Sequence, residues 1–405
     1  MIERNEYVKL WKNLSKDKSL ILMTGPRQSG KTTLAKFIQE LYSNSLYFNW
    51  DIISNKRKII ENPGFFQDIN RIDNSTPLIV FDEIHKYKNW KNYLKGIYDE
   101  FVDDYSFLVT GSARLDMLKG GGDSLAGRYF MFHLFPFTLS ELSTVSKINI
   151  TDKYWLKNMD FDDSNDSKSI WENLFSFSGF PEPFIKCRKS FYNKWVNTFT
   201  QQIVKEDIRA FSDIKNIDGI EILYSLLPVK TGSPFSINSI ARDIQFSFKT
   251  IKNWLLLLEK VSLTFSISPW TKKISRSILK EKKWYIFNYI EIDNSSIRFE
   301  NMVALELLRK VFYWNEEGKG PFTLHYLRDK EKREVDFLLL EKNEPILMIE
   351  TKLNNDHPSP SLIYFQNRLN IPAVQLVNKK GIYKKIINGD NSIIVITAHR
   401  FLSSL

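Results

Sequence analysis

Two short runs near the start of the chain carry residue types that handle phosphates. Gly25-Pro26-Arg27-Gln28-Ser29-Gly30-Lys31-Thr32 fits the spacing G-x-x-x-x-G-K-[ST], and Thr33 follows it. The glycines let backbone N–H groups turn inward around phosphate oxygens, and a helix starting at the lysine adds its dipole. Lys31 brings a point charge to the β and γ phosphates, and the Thr32 hydroxyl can ligate Mg²⁺. The second run, Leu78-Ile79-Val80-Phe81-Asp82-Glu83, ends an apolar stretch in an acidic pair. Asp82 would hold the Mg²⁺ through water, and Glu83 would polarise an attacking water as general base. His85, close by, has no second His or Cys at ligand spacing and reads as a loop residue. Thr110-Gly111-Ser112 ends another strand-like run. There Thr110 or Ser112 could reach the γ-phosphate or the lytic water, and Ser112 could equally be a plain helix cap.

A second set lies near the other end. Asp336 opens one apolar run, and Glu350-Thr351-Lys352 closes the next. Read as strands of period two, Ile346, Met348, Glu350 and Lys352 share a face. A hairpin around Asn343-Glu344-Pro345 would bring Asp336 within reach. Two carboxylates can then hold a divalent metal while the lysine orients or activates water. That is the PD-(D/E)xK nuclease pattern, with Val335 standing where its proline would be. Glu300, on a helix expected at 298–312, sits where such folds supply another acid. The same Glu-x-Lys is also a common strand-end ion pair.

These residues need elements to position them. Strand-like runs at 20–24, 46–50, 78–81 and 107–110 alternate with helical stretches at 31–41 and 90–101. Strands alternating with helices imply a parallel sheet covered on both faces. The polar stretch 160–169 reads as a surface loop, and 171–270 as mostly helical. Within it, 236–241 opens a helix with a hydroxyl cap at Ser236, and 247–251 opens another with Ile251, Trp254, Leu255 and Leu258 on one face. A basic segment follows, with Lys272, Lys273, Arg276, Lys280, Lys282 and Lys283, then an aromatic strand at 284–287. Helix, turn, helix and basic hairpin look like a winged helix. On DNA, Lys249 and Lys252 would flank the groove and the hairpin would touch phosphates; the module could equally pack or bind protein. Strands at 335–340, 346–351, 373–377 and 393–397 close the chain. A helix with Gln366 and Arg368 between them completes an α-β-β-β-α-β core.

Composition bounds the rest. The chain has 405 residues and a formal charge of +10. Residues 1–150 carry +3, 151–270 carry +1 and 271–405 carry +6. The basic last third hints at a polyanionic partner. The single cysteine, Cys187, excludes an internal disulfide. No signal-like N-terminus or membrane-length apolar run is visible, so the expectation is a cytoplasmic protein without a membrane partner.

The motifs resemble a family of bacterial and archaeal AAA+-like ATPases whose C-terminal region is a domain of unknown function. The matching stretches are GPRQSGKTTL, LIVFDEIHKYKNWKNYLKGIYDE, LVTGSARL, SLAGRYFMFHLFPFTLSEL and the SGFPEP turn. The resemblance implies ATP as ligand, an ASCE-type P-loop fold and the roles given above. It further implies a γ-phosphate-sensing or finger role for Arg128, in cis or on a neighbouring subunit; a structural ion pair is the alternative. The fold class expected is α/β and multidomain. A P-loop ATPase domain spans 1–159, a helical connector 160–230, a winged helix 231–290, and a restriction-nuclease-like α/β domain 291–405. The function expected is an ATP-binding, Mg²⁺-dependent ATPase coupling nucleotide state to a DNA-directed nuclease-like module. The alternative is a nucleotide-dependent switch or assembly platform with an inactive nuclease-like domain. DNA, a protein partner and self-assembly all stay open as partners.

Overall fold

The computed structural model describes residues 2–111, 115, 125–148, 150, 155, 161, 164–208, 216–271, 281–388 and 391–405. Ser112 and the basic residues Lys272, Lys273, Arg276 and Lys280 lie outside the described residues. The chain forms two compact units, Met1–Pro136 with Lys260–Ser262, and Phe137–Glu259 with Leu263–Leu405.

The first unit holds α1 (Asn5–Asp17), β1 (Leu20–Thr24), α2 (Lys31–Gln39), β2 (Ser45–Asn49), α3 (Ile53–Glu61), β3 (Leu78–Asp82), α4 (Trp90–Phe101), β4 (Ser106–Thr110) and β5 (Tyr129–His133). All five strands are parallel, in the order β2-β3-β4-β1-β5. β1 and β3 are buried at every position, which explains why they read as continuous apolar runs instead of alternating ones. β5, Tyr129-Phe130-Met131-Phe132-His133, is not among the strand-like runs expected from the sequence, although Gly127, with φ 77°, stands just before it. The register matters for the site. Asn49 faces Asp82 across β2 and β3, and Asp82 faces Thr110 across β3 and β4. Three polar side chains therefore stand in one row at the carboxyl ends of adjacent strands.

The second unit begins with helices: α5 (Leu139–Leu142), α6 (Asn165–Phe177), α7 (Pro181–Lys186), α8 (Lys189–Gln202), α9 (Ile217–Lys230), α10 (Ile237–Asp243) and α11 (Phe248–Lys260). There follow β6 (Thr264–Pro269), β7 (Lys283–Ile286), α12 (Ser295–Glu316), β8 (Phe322–Arg328), β9 (Glu334–Glu341), β10 (Glu344–Lys352), α13 (Pro360–Leu369), β11 (Ala373–Val377), β12 (Tyr383–Asn388), β13 (Asn391–Thr397) and α14 (Ala398–Leu402). The eight strands make one sheet, ordered β12-β13-β11-β10-β9-β8-β6-β7. From α12 to β11 the element order is α-β-β-β-α-β. The β6–β7 hairpin joins this sheet through a short parallel pairing, Ser268 with His325 and Pro269 with Tyr326.

Two local expectations need correction. Ser236 makes no side-chain cap to α10; the hydroxyl cap belongs to Ser247, whose Oγ accepts from Thr250 N at 3.1 Å at the start of α11. The β9–β10 turn is centred on Lys342 and Asn343, with φ of 49° and 69°, one residue earlier than the proline suggested. Two consecutive left-handed residues match the right-handed twist of the flanking strands.

Candidate nucleotide site and carboxylate cluster

The phosphate loop follows β1 and delivers Lys31 to the first turn of α2. Two of its residues need the freedom of glycine. Gly25 has φ 148°, and a Cβ there would lie 2.2 Å from the Leu134 carbonyl oxygen. Gly30 has φ 94° and starts α2. Lys31 is buried, and its Nζ donates to the carbonyls of Gly25 (3.0 Å) and Pro26 (2.7 Å). Ser29 is buried, Arg27 half-buried, and Gln28, Thr32 and Thr33 are exposed. Arg4, at the foot of α1, donates to the Ser29 carbonyl at 3.0 Å and so pins the loop from outside.

Asp82 is the hub of the site. Its Oδ2 accepts from Thr32 Oγ1 at 2.7 Å, from the Tyr47 hydroxyl at 2.5 Å and from Asn49 Nδ2 at 3.3 Å. Its Oδ1 accepts from the Thr110 hydroxyl. Burial and then the Asp82 carboxylate push the Tyr47 phenol well above its ordinary value, so it stays a donor. Tyr47 and Asn49 were missed by sequence reasoning. They sit on β2, whose alternation of polar and apolar residues was the one available signal.

Glu83 leaves the strand in a left-handed conformation (φ 59°), with its N–H bonded to the Thr110 carbonyl at 3.0 Å. Its carboxylate lies 3.0 Å from Lys86 Nζ and 3.9 Å from His85 Nε2. Lys86 also holds Asp51 at 2.6 Å. Burial alone would lower the Lys86 pKa, but Asp51 and Glu83 outweigh it and raise it. His85 is buried, and a Cβ on Gly111 would reach its Nδ1 at 2.5 Å. Arg128 is engaged with α4. Its guanidinium forks onto Asp99, at 2.6 Å and 3.3 Å.

The donor set suits Mg²⁺, which takes one or two protein oxygens and keeps several waters. Thr32 and Asp82 are hard oxygen groups already in register with one another.

The second cluster gathers around the β9–β10 hairpin. Asp336 Oδ2 accepts from the Thr351 N–H (2.8 Å) and hydroxyl (2.6 Å). Glu350 is buried and pairs with Lys352 at 2.6 Å, and its other oxygen accepts from the Asp336 N–H at 3.4 Å. Burial and then Asp336 push the Glu350 carboxyl upward, while Lys352 acts against them. The sequence-based reading thus has Asp336, Glu350 and Lys352 together, as it expected from the hairpin. Glu300 joins them from α12. Its carboxyl is pushed up to about 7 by burial and then by Asp336.

Lys283 corrects the sequence reading. Expected on a phosphate-facing hairpin, it is 1% exposed and turned into the acids. Its Nζ lies 2.7 Å from Glu334, 3.0 Å from Glu300 and 3.6 Å from Asp336. The reason is its strand: Lys283-Trp284-Tyr285-Ile286 is buried at every position, so its lysine has no route to solvent. Among the described residues no set of three Asp, Glu, His or Cys side chains is arranged to hold a metal ion. With the Lys283 ammonium between them, the acids of this cluster leave no seat for a divalent ion. Gln366 is buried, and Arg368 is on the exposed side of α13 near the Tyr364 hydroxyl.

Residues 17–143 match a family model described as an AAA domain. The first domain is AAA-type and ATPase-like. Residues 168–289 and 297–398 match two domains of unknown function, DUF8612 and DUF4143. An uncharacterized protein of Methanocaldococcus jannaschii is 26% identical, over 83% of this chain and 76% of its own length. An uncharacterized protein of Mycobacterium tuberculosis is 20% identical over 71% of this chain, which spans 58% of that relative. Among solved structures, a Walker-type ATPase of Pyrococcus abyssi has TM-score 0.44 and 12% identity, covering 74% of this chain and 96% of that one. The Aeropyrum pernix ORC1 protein in complex with DNA has TM-score 0.34 and 11% identity, covering 73% and 92%. No helix among the described residues is long and apolar enough to cross a membrane.

Proposed function

We propose that the chain is a Mg²⁺-dependent ATPase whose nucleotide state is coupled to a DNA-directed C-terminal module with the element order of a nuclease. One observation carries the ATPase part: the Thr32 hydroxyl at the phosphate loop and the Asp82 carboxylate at the next motif meet at 2.7 Å. In this reading Lys31 and the backbone from Gly25 to Thr33 bind the phosphates. Thr32 and Asp82 hold the Mg²⁺, which would neutralise charge on the β- and γ-phosphates. Glu83 accepts a proton from the attacking water, and Thr110 orients groups at the γ-phosphate end. Arg128 serves as sensor or finger after release from Asp99.

DNA contact is supported by exposed Lys249 and Lys252 on α11 and by the +6 charge of the last third. A second reading, in which the C-terminal module does not cut, is favoured by one specific observation: Lys283 among the acids. The test is an ATPase assay on wild type and Lys31→Ala, with and without DNA. Wild type should hydrolyse ATP, and DNA should alter the rate less as salt rises. Equal turnover by Lys31→Ala would overturn the ATPase reading.

A further inference from the structure

The carboxylate cluster contains more negative charge than one strand end needs. Glu334 and Asp336 lie two residues apart on β9 and share a face, and Glu300 comes from α12. Lys283 Nζ touches all three. Other protein donors hold further oxygens of these acids. Tyr285 donates to the same Glu300 oxygen at 2.8 Å. Arg328 holds the second Glu334 oxygen at 3.1 Å. Thr351 holds the second Asp336 oxygen, and Lys352 holds Glu350. The Tyr326 ring lies 5.5 Å from the ammonium. Burial alone would lower the Lys283 pKa, but Tyr285, Glu300, Asp336 and Glu334 together hold it well above the ordinary lysine value.

We propose that Lys283 is a resident cation: its ammonium stands where a divalent ion would sit among Glu300, Glu334 and Asp336, so the wild-type cluster excludes metal and does not cleave nucleic acid. A buried carboxylate group persists only when paired. A metal or an ammonium can do the pairing, and both cannot occupy the same few ångströms. The lysine is covalently supplied by β7, at an effective concentration no dissolved ion matches. Its second effect is to fasten the β6–β7 hairpin to the sheet at a point where backbone pairing is only two residues long. The proposal refines the non-cutting reading above and leaves the ATPase part untouched.

The test uses the full chain without nucleotide and counts bound Mn²⁺ by electron paramagnetic resonance. The phosphate-loop site is a common background in every variant. Wild type and Asp336→Asn should bind the same number of ions. Lys283→Ala, which removes both the charge and the bulk of the side chain, should bind one more, and Lys283→Ala with Asp336→Asn should lose it again. Mn²⁺ should also raise the melting temperature of Lys283→Ala more than that of wild type. One ion more in wild type than in Asp336→Asn would overturn the proposal. So would a folded Lys283→Ala that gains none. If Lys283→Ala does not fold, the comparison of wild type with Asp336→Asn decides alone. Mn²⁺-dependent plasmid cleavage by wild type, lost in Lys352→Ala, would also overturn it, while ATP hydrolysis in the same samples would show the first domain's reading intact.

Discussion

The Tyr47 hydroxyl donates to Asp82 Oδ2 at 2.5 Å, from the strand next to the one that carries the acid. The bond fixes which way the carboxylate points. It uses the oxygen that Thr32 also uses, and so it orients the group proposed to hold Mg²⁺.

Tyr47→Phe removes that donor and keeps the ring. Outer-shell donors of this kind change metal affinity by roughly 10–100-fold. ATPase measurements against Mg²⁺ should show half-maximal activity at about ten-fold higher Mg²⁺. An unchanged Mg²⁺ dependence would mean that Tyr47 only packs.

Glu83→Gln should separate binding from turnover. A general base contributes roughly 10²–10⁴-fold, so steady-state hydrolysis should fall by that order. Binding of a fluorescent ATP analogue should persist. Retained turnover would point to a nucleotide-sensing switch in place of an engine.

Gly25→Ala is expected to damage the phosphate loop. The added Cβ would sit 2.2 Å from a backbone oxygen, at a φ that side chains rarely adopt. Such strain costs about 1–3 kcal/mol. The melting temperature should drop and ATP binding should be lost together.

Glu306 gives a pH signature in the second unit. It is buried on α12 and accepts from the Leu139 N–H at 2.6 Å. Burial pushes its carboxyl up to about 7, opposed by that N–H, by Arg309, by the Ser140 backbone and by Lys147. A carboxyl raised on folding binds its proton more tightly in the native state, so stability falls as pH rises from about 4.5 to 7. The full effect is about 3 kcal/mol. Glu306→Gln should flatten that slope in chemical denaturation at pH 5 and pH 8. A parallel slope in both proteins would assign the pH dependence elsewhere.

Much of this architecture was legible because it is local. The phosphate loop, the apolar strand before Asp82 and the Asp336 to Lys352 hairpin each declare themselves within 17 residues or fewer. What escaped was set by distant partners. Asn49 meets Asp82 only through parallel pairing across β2 and β3. Lys283 looked like one of a basic run, since nothing in its neighbours announces three acids from β9 and α12. Glu306 follows Met302 and Val303 on its helix face and precedes the buried Arg309 and Lys310, and its partner, the Leu139 N–H, is far away in sequence. The bond from the Thr110 hydroxyl to Asp82 likewise depends on pairing between β3 and β4.

The sharing of one sheet by β6, β7 and β8 has a consequence for anyone dissecting the molecule. A fragment beginning at residue 291 would leave behind both the strand that borders β8 and the ammonium that balances Glu300, Glu334 and Asp336. It would carry a raw sheet border and an unbalanced knot of acids. The hairpin and the sheet thus travel as one heritable piece: transplanting either into another scaffold requires bringing the other.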